Sequence, residues 1–296
     1  MRYTRATLVL ASICTLALLV GCAPEPEVTQ LEPKIEPPLI AEAGVLRVGV
    51  DLEHPPFAGV DEGTEAGIDI DVASAVAASL GLELQTVQVT PADAASALEA
   101  GRVDVVMSVP LDELATGGFS MAGVYMTDGP AFFVRATDAE ELSSGQQDPA
   151  TLETPAAGTT TPTVTADMLT PFDFSGKRIG AQQESAAYWA LYHDLGEGAF
   201  TVFPTIREAI EALSAGEIDV VAGGAAVTAY VVRDFDDVVF AGQYGAPTAL
   251  GVAVAPDAEE LGNELRSVLE DLAAGGAIEA IRTTWAGTFP RLAIPR

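Results

Sequence analysis

Two separated stretches of this chain repeat one another. AASALEAGRVDVVMSV, from Ala94 to Val109, aligns with AIEALSAGEIDVVAGG, from Ala209 to Gly224, placing Gly101 over Gly216 and Asp104 over Asp219. Each copy reads as a short helix stopped by glycine and followed by an apolar run with the character of a buried parallel strand. Further upstream, RVGVDLE at Arg47–Glu53 aligns with RIGAQQE at Arg178–Glu184. Two such βαβ halves imply an α/β chain with two lobes of similar topology, each turning its strand-end loops toward a shared cleft. The 296 residues, 49% of them apolar, suffice for two cores.

The first half opens on LRVGVDLEHPPFAGVDEGTEAGIDIDVASAVAASLGL, Leu46–Leu82. Val48 and Val50 sit in an apolar run that predicts a strand. Ile70, Ala73, Ala77 and Leu80 recur at helical spacing up to Gly81. The loop between them carries Asp51, His54 and Phe57 and leaves the carboxyl end of a strand, where open α/β sheets bind ligands. Asp69 and Asp71 read as capping and solvated residues at the helix start, and Asp104 and Asp219 as turn residues. Strands are predicted over 83–89 and 103–109, with a short helix over 92–100 between them. In the second half, helices are predicted over 185–195, 207–215, 227–233, 259–274 and 278–285, and strands over 200–203, 238–241 and 248–254. Tyr188 and Trp189 could face the cleft or pack.

Residues 1–22 have the pattern of an export signal: Arg2 and Arg5, an apolar run from Ala6 to Val20 too short to span a bilayer comfortably, then LVGC. That ending looks like a bacterial lipobox, so Cys22 is expected to take lipid and become the first mature residue. Losing residues 1–21 removes two basic residues and no acid, leaving 43 acidic against 12 basic side chains. Such a field repels phosphate backbones, which excludes nucleic acid as a partner. Cys14 and Cys22 are the only cysteines, so the mature folded part has no disulfide, no thiol nucleophile and no cysteine metal site. Residues 22–44, rich in Pro and Glu, are expected to form an extended membrane tether. Residues 137–171, rich in Pro, Thr and Ala, are expected to be a disordered insertion.

The segments RVGVD, PPF, GIDIDVA, LEAGRVDVVMS, FSGKRIGAQQ and AGEIDVVAGG, in this order over residues 45–287, resemble the extracellular solute-binding proteins, family 3, of polar amino-acid ABC importers. The resemblance implies the two-lobed type II periplasmic-binding-protein fold: mostly parallel sheets flanked by helices and joined by a two-strand hinge. Lobe I would comprise residues 45–128 and 252–296, and lobe II residues 129–251. It implies a monomeric, lipid-anchored protein outside the cytoplasm that passes a small polar solute to an ABC permease and needs no cofactor or metal. It also implies an Arg after the third strand for the solute carboxylate, where this chain has LDEL at 111–114. The second-lobe acid for the ammonium falls on Gly224, an expected aromatic on Pro91, and a helix-capping threonine on Ala186. The residues left in the matching loops form the candidate ligand site: Asp51, His54, Phe57, Ser108 and Tyr125 in the first lobe, and Gln183, Glu184, Ser185 and Gly224 in the second. A sensory or degenerate lipoprotein is the alternative, and a dehydratase on the same fold a third reading.

Overall fold

A computed structural model describes residues 32–111, 118–139 and 168–287. The first sheet has the order β4-β1-β5-β13-β6 and is formed by β1 (Val45–Val50), β4 (Glu83–Gln88), β5 (Val105–Pro110), β6 (Ser120–Asp128) and β13 (Thr248–Val254). β1 is parallel to β4 and β5, and β13 runs antiparallel between β5 and β6. Helix α1 (Ile68–Leu80) packs its Val72, Ala73, Val76 and Leu80 on one face of this sheet, and α2 (Ala94–Glu99) covers the other. A two-stranded ribbon, β2 (Gly59–Asp61) with β3 (Thr64–Ala66), leads into α1.

The second sheet, β10-β9-β11-β7-β12-β8, contains β7 (Pro130–Arg135), β8 (Met168–Leu169), β9 (Ile179–Gln182), β10 (Thr201–Phe203), β11 (Val220–Gly224) and β12 (Val238–Tyr244). Its faces are buried by α3 (Ala186–Leu195) on one side and by α4 (Ile206–Ser214) and α5 (Ala225–Val232) on the other. The two lobes and the mixed α/β class follow the sequence expectation. The sheets meet at two chain crossings: β6 continues into β7 through Gly129, and β12 into β13 through residues 245–247. A Cβ on Gly129 would lie 2.7 Å from the Cα of Pro247, so the crossings touch where only glycine fits. All of β13 lies in the first sheet, which moves the return to lobe I from 252 to 248. Helices α6 (Glu259–Ala274) and α7 (Ala277–Ala286) finish lobe I, and α7 also leans on α5 of lobe II. Trp285 of α7 donates its indole N–H to Asp71 (2.7 Å), which gives Asp71 a partner rather than a solvated role.

The repeat is pinned by a duplicated ion pair. Arg47 of β1 grips Asp104, just before β5, through Nη2 (2.9 Å), Nε (3.2 Å) and its backbone N–H (2.9 Å). Arg178, just before β9, grips Asp219, just before β11, in the same way, through Nη2 (2.8 Å), Nε (3.0 Å) and its backbone N–H (2.8 Å). The two carboxylates are thus clamp residues, not merely turn residues.

Two sequence expectations change at their edges. The tether was expected to run through residue 44, but residues 32–44 lie on lobe I: Ile35 and Ile40 are buried, Ile40 at 1% exposure, and Lys34 donates its N–H to Leu80 O (2.8 Å). Gly81 makes this possible, because its left-handed φ of 70° ends α1 and a Cβ there would collide with the carbonyl of Glu32. Ile40→Val should therefore cost about 1 kcal/mol of stability, read from the denaturant midpoint. An unchanged midpoint would mean the segment does not pack in solution. Likewise, the expected insertion ends early, since Met168 and Leu169 pair with Gln243 and Tyr244 as β8. Residues 140–167, and the signal and tether up to residue 31, lie outside the described residues.

Candidate functional site

A cavity of about 240 Å³ opens where β1, β4 and β5 end, beside the hinge. β1 delivers Asp51, whose Oδ1 accepts from Gln88 Nε2 (3.0 Å) at the end of β4 and so ties the two strand ends together. The loop that follows puts His54 at the rim, its ring stacked on Phe57 at a 5.5 Å centroid separation. Phe57 is 3% exposed and belongs both to the cavity wall and to the core beneath it.

Ser108 interrupts β5 as a bulge. Between Val106 and Val109 this strand has one residue more than β13 between Gly251 and Ala253, and Ser108 takes a left-handed φ of 54°. For a residue other than glycine this conformation is uncommon and collects at functional sites. It turns the Ser108 hydroxyl onto Asp69 Oδ1 (3.0 Å), while the Ser108 N–H donates to the Tyr125 hydroxyl (3.0 Å). Tyr125 in turn donates a short hydrogen bond to the same Asp69 oxygen. Tyr125 therefore stands behind the cavity wall and holds the residues that form it.

Asp69 corrects the sequence reading. The helix cap is Gly67, with no side-chain cap, and Asp69, 2% exposed, lines the cavity. Burial pushes its carboxyl up to about 6, opposed by the hydrogen bonds from Tyr125 and Ser108 and by nearby His54. Burial and the Asp69 charge also hold the Tyr125 phenol well above its usual range, which keeps it a donor. A second carboxylate that sequence reasoning missed is Asp128, the last residue of β6. It lines the cavity and accepts the N–H of Ala226 on Oδ1 (2.9 Å), at the first turn of α5 in lobe II. Burial raises its pKa too, against hydrogen bonds from the Ala226 and Gly129 backbone.

The second-lobe candidates are not on this cavity. Ser185 caps α3, accepting from the Tyr188 N–H (3.1 Å) and donating to Gln182 O (2.9 Å). Gln183 and Glu184 form the exposed turn before it, with Glu184 at φ 59°. Trp189 is 55% exposed, and Tyr188 packs on Phe200. Gly224 caps α5, and a Cβ there would stand 3.8 Å from Asp128 Oδ2. Pro91 is a wall residue.

The remaining walls are apolar, with Val89, Val106, Val109, Phe119 and Leu250. Among the described residues, none in the lining is Lys or Arg. Among the described residues no group of three or more His, Cys, Asp or Glu side chains could hold a metal ion. The arrangement can enclose a small organic molecule and present carboxylates to it.

Residues 46–288 match the family described as bacterial extracellular solute-binding proteins, family 3. The chain belongs to this family. Solved structures resemble the chain in fold. A polar amino acid ABC uptake transporter substrate-binding protein from Streptococcus thermophilus aligns with TM-score 0.64 and 19% identity over 84% of this chain and 88% of its own. An ancestral cationic amino acid solute-binding protein gives 0.63 and 22% over 82% and 96%. An ancestral cyclohexadienyl dehydratase gives 0.56 and 21% over 83% and 93%. These likenesses establish the type II periplasmic-binding-protein fold for this family-3 chain. None of the curated proteins matches it.

Proposed function

We propose that the protein is the substrate-binding lipoprotein of an ABC importer, which captures a small polar solute, an amino acid or a related compound, between its lobes and presents it to a membrane permease. The observation that carries this reading is the cavity at the strand ends, lined by the buried Asp69 and the half-buried Asp128, of which Asp128 also bonds lobe II. A solute held there touches the residue through which the lobes communicate, as closure by differential contacts requires. The reading is of a binding protein without catalysis, acting as a monomer outside the cytoplasm and anchored through Cys22. Family membership and the LVGC sequence support it.

A thermal-shift screen of the purified protein with amino acids, amines, short organic acids and nucleosides tests the binding step. A solute at 100 times its Kd should add about 2.7 kcal/mol of stability. Silence from all four classes would favour a sensory or degenerate lipoprotein, and turnover of a prephenate-like substrate would favour the dehydratase reading. The anchor has its own test: Cys22→Ser should move the protein from the membrane fraction to the soluble fraction. If the variant stayed in the membrane, the lipobox reading would fail.

A further inference from the structure

We propose that the solute is an organic amine without a carboxylate, its ammonium held between Asp69 and Asp128 and its body lying along the apolar wall. The inference rests on the reading of this cavity as the binding site and names the ligand's chemistry.

Three carboxylates reach one small cavity from separate parts of the chain: Asp51 after β1, Asp69 on α1 and Asp128 at the hinge. The protein's structural carboxylates offer a contrast, since Asp104 and Asp219 are each matched by an arginine. Asp69 is buried and Asp128 half-buried, with hydroxyl and backbone N–H partners, and among the described residues the lining holds no Lys or Arg, only His54 at the rim. Burying carboxylates this way opposes their ionisation, and an entering cation relieves that cost.

The same lining works against an anionic group. Ser108 is the residue best placed to offer donors, yet its N–H is taken by Tyr125 and its hydroxyl by Asp69. Pro91 and Pro110 in the lining have no N–H to give. A ligand carboxylate would meet three carboxylates, with His54 at the rim as the one titratable base among the described lining residues to set against them. Beyond the carboxylates the wall is Val89, Val109, Phe119 and Leu250, which suits an alkyl or aryl body.

The test uses pairs of compounds that differ only in the carboxylate: cadaverine with L-lysine, agmatine with L-arginine, phenethylamine with L-phenylalanine. Each is titrated calorimetrically into the purified protein at pH 7.5. At least one amine should bind about 100-fold or more tightly than its parent amino acid. Asp69→Asn and Asp128→Asn, each checked for folding by circular dichroism, should weaken that amine about 10-fold or more. An amino acid binding as tightly as its amine would overturn the proposal and leave the receptor reading standing. So would an amine whose affinity survives both substitutions, or binding confined to organic acids or nucleosides. If no compound of any class bound, both readings would fail together.

Discussion

Asp104→Ala should lower the stability of lobe I by about 3–5 kcal/mol, as expected for removing one partner of a largely buried ion pair. The carboxylate receives four hydrogen bonds, three from Arg47 and one from the Ala41 N–H (3.0 Å), so its loss frees both the end of β1 and the N-terminal segment laid across it. Asp219→Ala removes the matching residue of lobe II and should cost clearly less. Arg178 is 55% exposed on its side chain against 17% for Arg47, so water can solvate it once its partner is gone. Thermal melts followed by circular dichroism would rank the two variants. Equal costs would show that burial does not set the value of these clamps.

The second large effect concerns pH. Asp69 has a folded-state pKa near 6, above the ordinary 3.8. The folded protein therefore holds a proton that the unfolded chain has already released between these values. Stability falls as pH rises from about 4 to about 6 and levels off above that, a loss of roughly 3 kcal/mol. Asp128 is shifted in the same direction. Asp219 is shifted in the opposite direction, chiefly by the Arg178 guanidinium, so its contribution is present above the unfolded value and is lost as pH falls. Asn at position 69 can still accept from Tyr125 and Ser108. Asp69→Asn should thus flatten the decline between pH 4 and 6 and make the protein more stable than its parent at pH 7. Denaturant midpoints at pH 4.5 and 7 would decide this, and parallel profiles for the two proteins would sink the assignment. The groups facing Asp69 are Tyr125, Asp128, Asp51 and His54, and Asp51→Asn serves as a control for the rim.

The fold was readable because its strongest signals are local and occur twice. Glycine after an amphipathic segment followed by DVV marks the same strand entry in both halves, and β13 and α6 fall where periodicity alone puts them. The site was readable only in part. Asp51, His54, Phe57 and Ser108 lie in strand-end loops, and position is enough to find them. Asp69 was hidden by its place near a helix start, where acids usually cap, although Val72, Ala73 and Val76 at its i+3, i+4 and i+7 positions showed that it shares the buried stripe. Its partners Ser108 and Tyr125 are 39 and 56 residues away, beyond any local pattern. Asp128 acquires its role only through the N–H of Ala226, a contact 98 residues long in sequence. Ile35 and Ile40 make no periodic pattern, so a proline-rich stretch concealed two buried side chains.

The Arg–Asp clamps sit at the amino ends of the strands they join, and the cavity sits at the carboxyl ends of two of them, β1 and β5. What fastens the first lobe is therefore spatially separate from the candidate solute site. Substitutions at the mouth can accumulate without passing through an unfolded ancestor, because the fastening at the far end is not consulted. Laboratory selection for new solutes would be expected to leave positions 47, 104, 178 and 219 untouched while the loops after β1, β4 and β5 change.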